Sequence, residues 1–132
     1  MAIIGIGTDV VQIPRFEKLI AKRQPSSLAR IFTATELAGA VTLTQPQLYA
    51  AFLSKRFAAK EAVAKAVGTG IGGKLALTDI SVITKDSGQP FIKLSDRGEN
   101  LIQELFGDNV AIHLSLADDY PVATAFVTIS KI

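Results

Sequence analysis

Glu61 and Lys65 stand four residues apart in Leu53–Gly73, LSKRFAAKEAVAKAVGTGIGG. On a helix that spacing puts them on one face, together with Phe57. Two readings follow. The pair is a surface ion pair worth about 0.2–0.5 kcal/mol, or it is an acid and a base held at fixed separation beside a ligand. Asp9 follows an apolar run, Ala2–Ile6, and a glycine bend, Gly5-Ile6-Gly7, a place from which a carboxylate is readily presented. A hard cation such as Mg²⁺ takes one or two carboxylates plus substrate phosphate oxygens and water. Asp9 and Glu61 are therefore a candidate magnesium pair, provided the fold brings them together. His113 is the single histidine. Strand alternation in Ala111–Leu116 puts it on one face with Ser115, either as a structural hydrogen bonder or as a group facing a ligand.

The glycines after the helix match two nucleotide motifs by letter. Gly68–Gly73 fits G-x-G-x-x-G, and Gly68–Lys74 fits G-x-x-x-x-G-K. Both motifs need a strand before the loop and a helix after it. Here a helix comes first, and Leu75 stands where a P-loop needs Ser or Thr. The loop reads as a helix stop whose backbone N–H groups are also able to meet a phosphate.

Elements that would position these groups are legible in the pattern. Pro14 opens a helix to about residue 23, with Phe16, Leu19 and Ile20 on one face and cations on the other. Gln24–Ser27 reads as a break. Thr33–Glu36 is a capping box for a short helix from residue 34. Thr44–Gln47 fits a second box, opening a long helix that stops at Gly68. Strands are expected at Asp79–Thr84 and Pro90–Leu94, then a helix capped by Ser95 and ending near Gly107. Strands at Val110–Leu116 and Val122–Ile129 follow. The order β-α-α-α-β-β-α-β-β predicts an α+β fold in a single domain, residues 1–132.

Composition bounds the function. Hydrophobic residues make up 48% of the 132-residue chain and charged residues 20%, a globular balance. A formal net charge of +2 is too mild to argue for nucleic acid. No apolar run approaches the roughly 18–20 residues of a membrane span, and Met1–Val11 reads as a strand, not a signal peptide. The absence of cysteine excludes disulfides and thiolate metal sites and fits a cytoplasmic protein. The cations cluster in two segments, Arg15–Arg30 and Lys55–Lys65, which are either solvated helix faces or surfaces for anionic partners.

Five segments together resemble a known family: GIGTDVVQIPRFE (Gly5–Glu17), RIFTATEL (Arg30–Leu37), KRFAAKEAVAKAVGTGIG (Lys55–Gly72), SGQP (Ser87–Pro90) and HLSL (His113–Leu116). They are similar, in order and over nearly the whole chain, to the holo-[acyl-carrier-protein] synthases, the small bacterial 4′-phosphopantetheinyl transferases. The resemblance implies that coenzyme A donates 4′-phosphopantetheine to a serine of an apo acyl carrier protein, releasing adenosine 3′,5′-bisphosphate. It implies a 4′-phosphopantetheinyl transferase-like fold and a homotrimer with active sites at the subunit interfaces. It also implies that Asp9 and Glu61 hold Mg²⁺ and that Lys65 lies near the phosphates.

Further roles follow from the same resemblance. The serine needs a base, and Glu61, or a metal-bound water that it orients, is the candidate. Gly70, Gln89, Pro90 and His113 would line the nucleotide, the last three from an adjoining subunit. Arg56 would meet the 3′-phosphate or pair with an acid. Arg15, Lys22 and Arg23 would dock the acidic carrier protein. The turn Ala117–Pro121 is about two residues shorter than is common in the family, which leaves the roles carried by that turn open. The alternative reading is a catalytically silent module that binds coenzyme A or carrier protein.

Overall fold

A computed structural model describes residues 1–132. Strand β1 (Ala2–Gln12) leads into helices α1 (Ile13–Ala21), α2 (Pro25–Ala29), α3 (Ala34–Gly39) and α4 (Pro46–Val67). A single 3₁₀ turn (Leu77–Asp79) precedes β2 (Ile80–Thr84) and β3 (Pro90–Leu94), and α5 (Asp96–Phe106), β4 (Val110–Asp119) and β5 (Val122–Lys131) complete the chain. The α+β class stands, with one helix more than the pattern suggested. Gln24–Ser27 is not a plain break: Pro25, its φ already helical, starts the short helix α2.

The strands β1, β5 and β4 form an antiparallel sheet in that order, and β2 pairs with β3 in a separate ribbon. Helix α4 lies across one face of the larger sheet and also contacts α1 and β2. Twelve of its residues are buried, on every side, because sheet, helix and ribbon enclose it. The basic surface expected from its cations is therefore largely absent: Arg56 and Lys60 are buried, and Lys65 is exposed. The helix ends where the glycine predicts, with Gly68 in the left-handed region at φ 96°. Its start differs. Gln45, not Thr44, holds the N-cap position, and no side chain caps it; Thr44 lies one residue too early to reach the first turn.

Strand β1 does not bend at Gly5–Gly7. It runs on through Asp9 to Gln12, with one register irregularity between Ile3 and Gly5. The glycines serve a different purpose. A Cβ on Gly7 would sit 1.9 Å from the Ala62 carbonyl oxygen, and one on Gly5 would sit 2.3 Å from that of Ala66. Both lie on the face toward α4, so their missing side chains let helix backbone approach strand backbone. Ala58, Ala59, Ala62 and Ala66, all buried, keep the helix side equally thin.

The capping box at α3 forms as expected, with Thr33 and Glu36 exchanging hydrogen bonds. Glu36 does more than cap. It is fully enclosed and pairs with Lys60 at 2.6 Å, both side chains being 0% exposed. Lys60 also donates to the carbonyls of Leu77 and Ile80, and Glu36 accepts from the backbone N–H of Thr33 and Val82, each at 2.9 Å. Every donor of the ammonium is used, which is the condition under which a buried ion pair is tolerated. Helical spacing held a clue to this. Lys60 lies seven residues from Leu53 and seven from Val67, both buried.

The strand–helix approach makes a clear prediction. Gly7→Ala should destabilise the fold by about 3 kcal/mol, the upper range for overpacking against rigid backbone. Thermal denaturation of both proteins checks it; an unchanged midpoint would mean that β1 and α4 separate without cost.

Candidate active site

The approach of β1 to α4 brings together the acidic and basic residues singled out by spacing. Lys65 Nζ lies 3.2 Å from Asp9 Oδ1 and donates to the Thr8 carbonyl oxygen at 2.9 Å. Lys65 is thus not simply the partner of Glu61 along the helix; it reaches across to the strand. Glu61, one turn earlier, is half-buried and close enough to Asp9, Lys65 and Arg15 to feel the charge of each. Burial raises the Glu61 pKa first, and the Asp9 charge adds to it; Lys65 and Arg15 oppose the rise. Asp9 and Glu61 are therefore within electrostatic reach of one another.

Two adjacent carboxylates that repel one another suit a divalent cation. The donor set fits Mg²⁺, which keeps most of its shell for water and phosphate oxygens. No group of three or more His, Cys, Asp or Glu side chains gathers to make a fuller protein cage. Arg15 frames this site, its guanidinium carbon 5.4 Å from the centre of the Phe57 ring. It sits at the head of the exposed cationic face of α1, where Lys22 and Arg23 stand in solvent beyond the last turn.

A second group of the expected residues lies at the other edge of the sheet. Arg56, Gln89 and Pro90 line a cleft of about 410 Å³ whose wall includes Leu114, Ser115 and Leu116 of β4. Arg56 is held by a hydrogen bond to the Thr84 hydroxyl at 3.0 Å and lies over the Phe52 ring, 3.4 Å from its centre. Burial pushes its pKa down to about 10, against the pull of Glu36. The guanidinium is still charged at neutral pH. Lys55 and Thr84 join the same cleft; the sequence marks Lys55 only as one of the clustered helix cations and gives no sign of Thr84. Lys55 precedes Arg56 directly, and the pattern offered no further sign.

Strands β1 and β4 are the two edges of the sheet, with β5 between them. At a strand spacing of about 4.8 Å, the edges lie roughly 10 Å apart, and α4 lies across the sheet between the two sites. One chain thus keeps its carboxylates and its Arg56 cleft separate. His113 is in neither. It pairs with Thr128 and is exposed on the sheet face away from α4, two residues along β4 from Ser115. Gly70 lies past the end of α4, at φ 65°, beside a hollow lined by Gly68–Gly70 and Gly72–Lys74. The N–H groups of Gly68 and Gly70 both point back to the Ala64 carbonyl, at 3.0 and 3.2 Å. Those two amides close the helix and do not face a ligand.

The sign of the Glu61 shift sets a pH dependence. A raised native pKa gives a stabilising contribution that is full below the unfolded value, about 4.3, and is lost as pH rises through the native value. Carboxyl NMR titration should place Glu61 above the ordinary range, with Asp9→Asn lowering it. An ordinary value that ignores Asp9→Asn would remove the electrostatic coupling between the two carboxylates.

Comparison with known proteins gives a consistent picture. The family model described as the 4′-phosphopantetheinyl transferase superfamily matches residues 5–125. A holo-[acyl-carrier-protein] synthase of Orientia tsutsugamushi strain Ikeda is 41% identical over 128 residues, covering 97% of each chain. The crystal structure of the holo-[acyl-carrier-protein] synthase from Neisseria meningitidis superposes with a TM-score of 0.85 at 35% identity, covering 98% of this chain and 100% of that one. A Bacillus anthracis holo-(acyl-carrier-protein) synthase in complex with CoA (3′,5′-ADP) gives 0.80 at 34% identity, covering 98% of each chain.

Proposed function

The chain belongs to the 4′-phosphopantetheinyl transferase superfamily, and on that footing we propose that it transfers 4′-phosphopantetheine from coenzyme A to a serine of an apo acyl carrier protein. The observation that carries this reading is the Asp9–Lys65 ion pair where β1 crosses α4, with Glu61 one turn along the helix and within electrostatic reach of both. Phosphoryl transfer asks a protein mainly to position groups and neutralise charge, and this cluster has two carboxylates and a half-exposed ammonium for that work.

The serine oxygen attacks the phosphorus that bears the pantetheine. The bond between that phosphorus and the bridging oxygen of the pyrophosphate breaks, and adenosine 3′,5′-bisphosphate leaves. The serine proton needs an acceptor. Glu61, or a water that it orients, is the candidate, since it stands one turn from Lys65 and within electrostatic reach of Asp9. Lys65, exposed over half its side chain, is free to turn from Asp9 to the leaving phosphate and offset its charge. Asp9 and Glu61 are the residues that would hold Mg²⁺, which when bound supplies charge neutralisation to the pyrophosphate.

Assembly completes this reading. The sheet face away from α4 has no covering layer, and Ile4, Ile6, Val10 and Phe126 stand exposed on it. A homotrimer covering that face would set the carboxylates of one protomer against the Arg56 cleft, Gln89, Pro90 and His113 of the next. Coenzyme A would then span both. The cationic face of α1, with Arg15, Lys22 and Arg23, borders the carboxylates and suits an acidic carrier protein. Light scattering should accordingly report a mass of three chains; a monomer that remains fully active would remove the need for a shared site.

Incubation with apo carrier protein, coenzyme A and Mg²⁺ should add the mass of one phosphopantetheine to the carrier. Glu61→Gln should slow that reaction by about 10²–10⁴-fold, the usual contribution of a general base. No mass gain from the unaltered protein would overturn the assignment. For the docking face, Arg15→Glu should raise the carrier-protein KM at low salt by about tenfold or more, the value of one lost charge contact. An unchanged KM would place docking elsewhere.

A further inference from the structure

The cleft beside β4 is lined by cations, hydroxyls and an amide: Lys55, Arg56, Thr84, Gln89 and Ser115. No carboxylate is among its lining residues. Arg56 is built into its wall, 6% exposed, with its Nε buried and unpartnered. The Thr84 hydroxyl accepts from Arg56, so its own proton is left to donate to an acceptor in the cleft. This lining suits an anion with several acceptor oxygens.

The charge of Lys55 is already spoken for, by one outside group. Its Nζ lies 2.9 Å from Asp118 Oδ1, and the two side chains keep 28% and 35% exposure. Asp118 sits at the tip of the β4–β5 hairpin, whose strands stop at Asp119 and resume at Val122. That short connection also carries Tyr120, which donates to Glu17 of α1. The tip is thereby held over the cleft side of α4. Exposed ion pairs of this kind contribute little. A dianionic phosphate monoester, with three strong acceptor oxygens, is a better partner for Lys55 than a single solvated carboxylate.

We infer that Lys55 is a second cation for the ribose phosphate of the donor nucleotide, and that Asp118 is an internal competitor that holds Lys55 until the phosphate arrives. The identity of the nucleotide rests on the transferase reading above. The consequence is specificity: Lys55 separates a donor that carries the ribose 3′-phosphate from one that lacks it, and Asp118 weakens that preference. The reacting pyrophosphate is not its target.

Calorimetry on the full-length protein tests this with two probes, adenosine 3′,5′-bisphosphate and adenosine 5′-monophosphate. Lys55→Ala and Lys55→Gln should each weaken the bisphosphate about tenfold, the size of one charge-assisted contact. The monophosphate should move less than about twofold, within the small effect expected of a screened charge. Asp118→Asn should tighten the bisphosphate by about two- to fivefold, the share of a weak surface pair. Equal effects of the Lys55 variants on both probes, or none on either, overturn the inference, as does an Asp118→Asn that weakens the bisphosphate. Circular dichroism confirms that each variant is folded. The transfer assay separates the two readings. Transfer that persists while the Lys55 variants leave the preference intact sinks this inference alone. A Lys55-dependent preference without any transfer supports it and sinks the transferase reading.

Discussion

The close approach of β1 to α4 is the constraint on which the rest depends. Stacked sheets stand about 10 Å apart because side chains fill the gap, and a helix on a sheet ordinarily keeps its backbone off by side chains in the same way. Here Gly5 and Gly7 face alanines, and a single methyl at Gly7 would fall within 1.9 Å of a carbonyl oxygen. Backbone therefore meets backbone. Asp9, two residues further along the same face of β1, is delivered to the level of Glu61 and Lys65. An ion pair between residues 56 positions apart in sequence follows from two missing side chains.

The helix must also be fixed in rotation, or Glu61 would not face the strand. Lys60, its immediate neighbour, points the other way into a closed network with Glu36 and three backbone groups of the 3₁₀ turn and β2. Removing one partner of such a buried pair costs about 3–5 kcal/mol because the other charge is stranded. The network therefore resists any turning of α4 about its axis. Adjacent residues of one helix thus divide the labour: Lys60 anchors and Glu61 is presented. Arg56, one turn before Lys60, is held on the ribbon side by Thr84 and by Phe52. Its lowered but still high pKa leaves it a permanent cation.

The sheet is covered on one face only. Its two edges hold different chemistry: carboxylates with an ammonium beside β1, and cations with hydroxyls beside β4. A phosphate-rich ligand needs both kinds of group, and a single chain sets them at opposite edges. The exposed isoleucines of β1 and Phe126 of β5 give the open face an apolar character that favours a further copy of the chain. The β4–β5 hairpin ties the two edges together mechanically. Asp118 bonds Lys55 of α4, Tyr120 bonds Glu17 of α1, and the Pro121 carbonyl accepts from the Ile13 N–H at 2.8 Å. The first helix, the central helix and the cleft share one short connection.

By itself the sequence determined most of the elements and the family, while the short helix α2 and the start of α4 escaped it. Proline at first turns, the Thr33–Glu36 box, Ser95 before α5, and Gly68 and Gly107 after their helices are local signals, acting over one turn of chain, and each appears in the fold. Asp9, Glu61 and Lys65 could be named because residue type and helical spacing are also local. Tertiary structure alone decided what these residues touch. Spacing paired Lys65 with Glu61, whereas the fold gives its ammonium to Asp9 across 56 positions. Glycines that read as a bend are a packing surface, since the helix they admit lies more than fifty residues away. Glu36, a cap by pattern, and Lys60, a cation by composition, form a buried pair. Two amides of the glycine loop, those of Gly68 and Gly70, go to ending a helix, and Lys55 enters the cleft only through a strand and a hairpin from the far end of the chain. Contacts between distant segments depend on how layers stack, and no window of neighbouring residues encodes that.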